Sequence, residues 1–361
     1  MCEPLLKTLE LAPFRQRFPW LGPDLQTVRN TLRAPKPLPE HGQCLELSLP
    51  GGDRLLARFD PPTVGEPRGL VVVVHGLGGG SDDEGQRRLG RALNRGFFAV
   101  LRLNLRGAGP GRSLARGTYA ACCAADLLPV LQECRRLAAD LAPGRRGLPL
   151  GAVGLSLGGT VLLNALLASR SLPIPLLDGL VCISSPLDLA HCADRFEHPR
   201  NRLYQSWLLP RLIQQTLADP HGLSEEERQG LIGPRRPHTI RAFDDLITAP
   251  RWGFPDVLAY YQACSPLQRL RQVPLGLPPL LVVHAKDDPW VPVASALSLA
   301  QEVERLQRRG APGAGTLPEV LITERGGHNG FHAPGDSADG CWSDRLASLW
   351  LARVLGARPS T

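Results

Sequence analysis

Lysine is scarce in this chain: Lys7, Lys36 and Lys286 are the only three, and the rest of its 41 basic residues are arginines. The arginines are scattered, so the net charge of +7 lacks the clustered footprint that nucleic-acid binding needs. Aromatic residues make up only 5% of the chain, and no run interleaves them with arginine as a platform for stacked bases would. Nucleic acid is excluded as a partner on both counts. The nine cysteines contain no Cys-x-x-Cys pair, which argues against a zinc ribbon. Their odd number argues against a disulfide framework, so reduced, mostly buried thiols are expected. No apolar run reaches the ~18 residues of a membrane span. Glu3, Lys7 and Glu10 interrupt the start of the chain where a secretory signal would be apolar. A cytoplasmic protein is expected, with peripheral membrane contact left open.

Two cofactor loops are missing as well. No G-x-x-x-x-G-K-[ST] segment occurs, and the glycine loop at Gly76 has Ser81 where a dinucleotide fingerprint needs its third glycine. The next strand pattern ends in Asn104, where a ribose-binding acid is wanted. Neither NAD nor ATP nor any other cofactor is expected.

What the chain does contain is an alternation of strand and helix patterns. Residues 43–49 and 53–59 are two half-alternating runs around Pro50-Gly51-Gly52, the pattern of an antiparallel hairpin. Leu70 to Val74 is a continuous valine-rich run, as in a strand buried on both faces of a parallel sheet. Helix-period residues follow from Glu84 to Asn94. The alternation repeats with strands at 97–103 and 148–155, helices at 120–141 and 157–168, and later strands at 179–184, 280–285 and 320–323. Such a chain specifies an α/β fold with a mostly parallel, doubly wound sheet. Between 186 and 262 the alternation stops, and short helical stretches broken by Pro and Gly gather Tyr204, Trp207, Phe243, Trp252, Phe254, Tyr260 and Tyr261. The expected organisation is an N-terminal extension over 1–42, a core over 43–185 and 263–361, and a helical cap inserted over 186–262.

Gly154-Leu155-Ser156-Leu157-Gly158 is G-x-S-x-G lying between a strand and a helix pattern, the setting in which this motif exposes a serine hydroxyl on a sharp turn. The motif also arises by chance in glycine-rich chains; its placement gives it weight. A serine needs a base to take its proton, and the base needs a carboxylate to fix its tautomer. Asp288, after strand 280–285, and His328, after the next strand, supply both in the order Ser, Asp, His. Asp287 stays open as the alternative acid. His75 and His284 end or occupy apolar strands, the usual setting of a structural histidine. His332 is separated from His328 by Gly330, which argues against a metal-binding helix, and no metal is expected. His75-Gly76-Leu77-Gly78 follows a buried strand, and the backbone N–H groups of Leu77 and Leu157 are the expected oxyanion donors.

These residues resemble the YheT-like group of α/β hydrolases, bacterial relatives of the ABHD-type lipid esterases. The resemblance spans nearly the whole chain: Pro23-Asp24-Leu25-Gln26-Thr27, His75-Gly76-Leu77, Asn104-Leu105-Arg106-Gly107, the Ser156 elbow, Phe243-Asp244-Asp245, Thr248-Ala249-Pro250, Asp287-Asp288-Pro289 and Gly327-His328-Asn329-Gly330-Phe331. It departs from the family at Asp24, Ala120 and Cys122. It implies the α/β-hydrolase fold, a triad of Ser156, Asp288 and His328, and an acyl-enzyme on Ser156. The implied substrates are short- to medium-chain acyl esters or monoacylglycerol-like lipids. His75, Trp207 and Trp252 are taken as substrate contacts. A thioesterase with the same triad, or a catalytically silent hydrolase fold that binds or regulates, is the alternative.

Overall fold

A computed structural model describes residues 2–32, 42–62, 65–142, 147–172, 175–234, 236–272, 276–310, 317–336 and 340–356. Residues 33–41 of the expected N-terminal extension, Lys36 among them, lie outside the described residues. Eight strands form one sheet: β1 (Gln43–Ser48), β2 (Arg54–Asp60), β3 (Leu70–Val74), β4 (Ala99–Leu103), β5 (Leu150–Leu155), β6 (Gly179–Ile183), β7 (Leu280–Ala285) and β8 (Glu319–Thr323). Their order is β1-β2-β4-β3-β5-β6-β7-β8. The β1–β2 and β2–β4 pairs are antiparallel, and all later pairs are parallel. This is the α/β-hydrolase arrangement, with the N-terminal hairpin on one edge.

Helices α1 (Cys2–Thr8) and α2 (Pro23–Leu32) precede the sheet, and α3 (Glu84–Arg95), α4 (Ala124–Asp140) and α5 (Leu157–Ala168) connect its first parallel strands. Between β6 and β7 lie α6 (Leu189–Glu197), α7 (Arg202–Leu217), α8 (Glu225–Ile232), α9 (Ile240–Phe243), a π-helical turn (Asp244–Thr248), α10 (Ala249–Arg251), α11 (Val257–Cys264) and α12 (Leu267–Gln272). Helices α13 (Ala294–Arg308) and α14 (Trp342–Gly356) flank β8. Among the described residues no helix is long and apolar enough to cross a membrane.

Strand β3 shows why the sheet must be covered on both sides. Leu70, Val72 and Val74 belong to one apolar layer with Leu127, Leu131 and Leu162. Val71 and Val73 belong to the opposite layer, with Leu89, Leu93, Trp350 and Leu351. Successive side chains of a strand point to opposite faces, so an unbroken valine run needs two apolar layers.

Two expectations shift. Helix α4 starts at Ala124 rather than at 120, because the Ala121 N–H donates to Tyr260 Oη at 2.9 Å and its carbonyl accepts from Asn164 Nδ2 at 2.7 Å. Those bonds hold 120–123, which turn at Ala121–Cys122, against α11 and α5. In addition, Cys122 and Cys264 are joined as a disulfide, which corrects the expectation that every thiol is reduced. The partners lie 142 residues apart, too far for any local spacing to reveal the pair.

Candidate active site

Loops leaving the carboxyl ends of β3, β5, β7 and β8 meet over the sheet, the place where open α/β sheets bind ligands. Ser156 follows β5 directly and takes φ 53° and ψ −126°, a conformation rarely adopted by a residue with a Cβ. Its neighbours are glycine for lack of space. A Cβ on Gly154 would lie 2.3 Å from Gly159 Cα, and one on Gly158 would lie 2.3 Å from the Val74 carbonyl oxygen. The turn is thereby pressed close to β3, and the serine stands at the start of α5.

His328 Nε2 lies 2.9 Å from Ser156 Oγ, and His328 Nδ1 lies 2.9 Å from Asp288 Oδ2. Asp288 Oδ1 accepts the backbone N–H groups of Trp290 at 2.8 Å and Val291 at 2.9 Å. Burial pushes this carboxyl up, yet His328, His284 and the Val291 N–H together outweigh burial and hold it below its ordinary value. An ionised carboxylate only accepts, so Nδ1 donates to it and Nε2 keeps a lone pair toward the serine.

Asp287 stands apart from the imidazole. Its Oδ1 accepts the Gly327 N–H at 2.9 Å, and burial raises its carboxyl above the usual range. Of the two adjacent acids, Asp288 reaches the ring and Asp287 shapes the loop that carries it.

The His328 loop is clamped from the other end of the chain. Thr27 Oγ1 accepts the His328 N–H at 2.9 Å. The fully buried Gln26 accepts the His332 N–H at 2.7 Å and donates to the His332 carbonyl at 3.1 Å. A Cβ on Gly327 would lie 2.5 Å from the Pro23 carbonyl oxygen, so the loop passes against α2 with no room for a side chain. Asn329 donates its N–H to Ser184 Oγ at 3.2 Å, and its Nδ2 lies 3.2 Å from His328 Nε2. Sequence reasoning gave Gln26, Thr27, Trp290 and Asn329 no task; the signal was that the first two and Asn329 lie within the quoted motifs and Trp290 follows one directly.

The N–H groups of Leu77 and Leu157 donate to no described residue, whereas the adjacent Gly78 N–H is taken by Tyr119 Oη at 2.7 Å and the Gly79 N–H by the Gly76 carbonyl at 3.2 Å. A Cβ on Gly76 would lie 3.0 Å from Ser156 Cβ, so the first of these loops runs beside the serine.

Three expected substrate contacts fare differently. His75 is 1% exposed. Its Nε2 accepts the Leu105 N–H at 3.1 Å, which leaves Nδ1 to donate to the Gly76 carbonyl at 2.8 Å. Both nitrogens are engaged by the backbone, and burial holds the ring's pKa below the usual imidazole range, while the residue borders the groove beside Ser156. Trp252 donates its indole N–H to the Thr118 carbonyl at 2.9 Å and packs outside the cavity lining. Trp207 sits at the rim, under the Arg211 guanidinium at 3.6 Å, beside a groove that touches Ser156.

Ser156 faces two spaces. One is a cavity beneath the β6–β7 insertion, walled by Leu77, Phe196, Leu208, Leu212, Ile240 and Phe243 and carrying few polar groups. The other is a groove with Asn30, Asp83, Gln86, Arg88, Asn329 and Ser343 on its walls. Among the described residues no three His, Cys, Asp or Glu side chains converge to hold a metal ion.

Residues 71–339 match the alpha/beta hydrolase family. The YheT chain of Escherichia coli (strain K12), which carries an esterase's name, is 30% identical over 320 residues, or 86% of this chain and 85% of that one. Phospholipase ABHD3 of Bos taurus is 25% identical over 337 residues, or 91% of this chain and 74% of that one. A solved soluble variant of the monoglyceride lipase of Saccharomyces cerevisiae, in complex with a substrate analogue, gives a TM-score of 0.54 at 18% identity, covering 89% of this chain and 99% of that one; this is a likeness of fold. With the family match across most of its length and YheT alongside it nearly end to end, the chain belongs to the α/β hydrolases, in their YheT/ABHD-like group.

Proposed function

We propose that this protein is a serine hydrolase of carboxylic esters, with Ser156 as nucleophile, His328 as base and then acid, and Asp288 as the residue that orients the imidazole. The observation that carries the reading is the unbroken hydrogen-bonded line from Asp288 Oδ2 through both nitrogens of His328 to Ser156 Oγ, each step 2.9 Å. Ser156 Oγ attacks the ester carbonyl while its proton passes to His328 Nε2. The carbonyl oxygen becomes an oxyanion held by the N–H groups of Leu77 and Leu157. The imidazolium then gives its proton to the departing alcohol oxygen, the C–O bond breaks, and Ser156 is acylated. Water repeats the sequence, with His328 taking its proton and returning one to Ser156 Oγ.

The two spaces beside Ser156 divide the substrate. The alcohol must leave and water must enter between the two halves of the cycle, which suits the polar groove. The apolar cavity under the insertion suits the acyl chain, and that insertion serves as a cap. The esterase name of YheT and the phospholipase name of ABHD3 support the ester class.

A fluorophosphonate probe tests the reading. The wild type should be labelled on Ser156 and Ser156→Ala should not; equal labelling would overturn it. Ser156→Ala and His328→Ala should each cut ester turnover by about 10⁴- to 10⁶-fold, and the double variant should be hardly worse than either, since the two act as one unit.

A further inference from the structure

We infer that the acyl cavity is built for a chain that ends in a cationic ammonium group, with Asp244 as its counter-charge. The inference rests on the ester-hydrolase reading above and names the class of acyl group that the site takes.

Asp244 is the acid set among the apolar walls of the cavity. It lies at the start of the π-helical turn Asp244–Thr248, a widened turn that recurs at functional sites. Its Oδ1 accepts from Thr248 Oγ1 at 2.7 Å and its Oδ2 from Tyr261 Oη at 2.8 Å. These two hydroxyls take one lone pair on each oxygen and leave the charge uncompensated. No Arg or Lys is found among the described residues lining the cavity. Arg241 lies 5.9 Å from the Tyr261 ring centre but is engaged by Asp194 and Glu197. Burial raises the Asp244 carboxyl to about 6, so at neutral pH it is mostly ionised in a setting that disfavours the ion.

Asp244 is partly exposed and lines the cavity, and a carboxylate in an apolar setting without a cation is costly unless something positive comes to it. The rings of Tyr119, Phe243, Tyr260 and Tyr261 line the same cavity, and aromatic rings beside a carboxylate favour an ammonium group over any neutral one. A hydroxyl would hydrogen-bond but leave the charge in place. A carboxylate or phosphate would meet like charge with nothing to offset it.

The test uses the wild type and matched nitrophenyl esters over a series of acyl lengths, with the chain ending in methyl, hydroxyl, trimethylammonium or carboxylate. At the length that reaches Asp244, kcat/KM for the ammonium ester should exceed that of the methyl ester by about tenfold, the ratio given by one modest contact, and the carboxylate ester should be poorest. Asp244→Asn should bring the ammonium-to-methyl ratio to about one or below, while Asp244→Glu should keep it above one. The ratio is independent of how much variant is folded, and should Asp244→Asn fail to accumulate, the wild-type order decides alone. Preference for the methyl or hydroxyl ester at every length, or the same ratio in Asp244→Asn, overturns the inference. Turnover and Ser156 labelling without ammonium preference remove only this inference. Loss of both turnover and labelling removes the ester-hydrolase reading beneath it.

Discussion

The indole of Trp290 lies on the imidazole of His328, with ring centroids 4.5 Å apart and planes 23° from parallel. The same residue donates its backbone N–H to Asp288 at 2.8 Å, so one position steadies both the carboxylate and the ring. Trp290 is itself packed against Phe196 and Tyr204, with centroids at 5.4 and 5.3 Å. Trp290→Ala removes the stacked face and should lower kcat/KM for a nitrophenyl ester by about tenfold, the size of one aromatic contact. Trp290→Phe should keep most of the activity. Equal kinetics in wild type and Trp290→Ala would make the stack incidental.

The adjacent acids should separate cleanly. Asp288→Asn leaves the imidazole without an acceptor that fixes its tautomer and should reduce kcat by about 10⁴-fold. Asp287→Asn alters the partner of the Gly327 N–H, away from the imidazole, and should stay within about tenfold of wild type, with a stability loss of about 1 kcal/mol. Steady-state rates and urea midpoints on both variants check this; a larger loss at Asp287 would reverse the assignment.

The clamp from α2 should matter to the site although it lies 301 residues from His328. Thr27→Val is close to isosteric but leaves the His328 N–H without its acceptor, at a cost of about 1–3 kcal/mol. Both the urea midpoint and kcat should fall, whereas Thr27→Ser should restore both. A variant that loses stability but keeps the wild-type rate would show that the loop is placed without this bond.

Asp244 predicts a stability that depends on pH in the opposite sense from Asp288. Its folded value is raised to about 6, so the folded state holds the proton more tightly than the unfolded chain does. Stability from this group is fully present below the unfolded value near pH ~4 and declines as pH rises through about 6. Asp288, whose value is lowered, contributes stability above pH ~4 that is lost as pH falls through its folded value. Asp244→Asn should therefore gain about 1 kcal/mol or more over wild type at pH 7–8 and lose that gain at pH 4. Urea unfolding at the two pH values measures the difference; a gain equal at both would mean the carboxyl does not titrate with folding.

Much of the frame is legible before any coordinates. β3, β7 and α5 have the bounds read from their runs, and the remaining strands differ by a residue or two. One such shift is at Phe97, which takes φ 66° and delays β4 to Ala99. The Ser156 turn is legible too, since strand, small-residue turn and helix are consecutive in the chain. The start of α4 is less so, because Ala121 just before it donates to Tyr260 and accepts from Asn164, whose nearness no periodicity records.

Hydrophobic period and glycine spacing act between near neighbours in the chain, so residue order alone carries the doubly wound sheet, the exposed serine and the Ser, Asp, His succession. Which of two adjacent acids meets the imidazole, that the His75 ring nitrogens are engaged by the backbone, that Thr27 and Gln26 hold a loop some three hundred residues away, and that Cys122 joins Cys264 depend on how the folded sheet brings its loops together. Those choices turn on angles and distances of a few tenths of an ångström between segments remote in the chain, and hydrogen bonds and buried charges respond to that geometry rather than to composition.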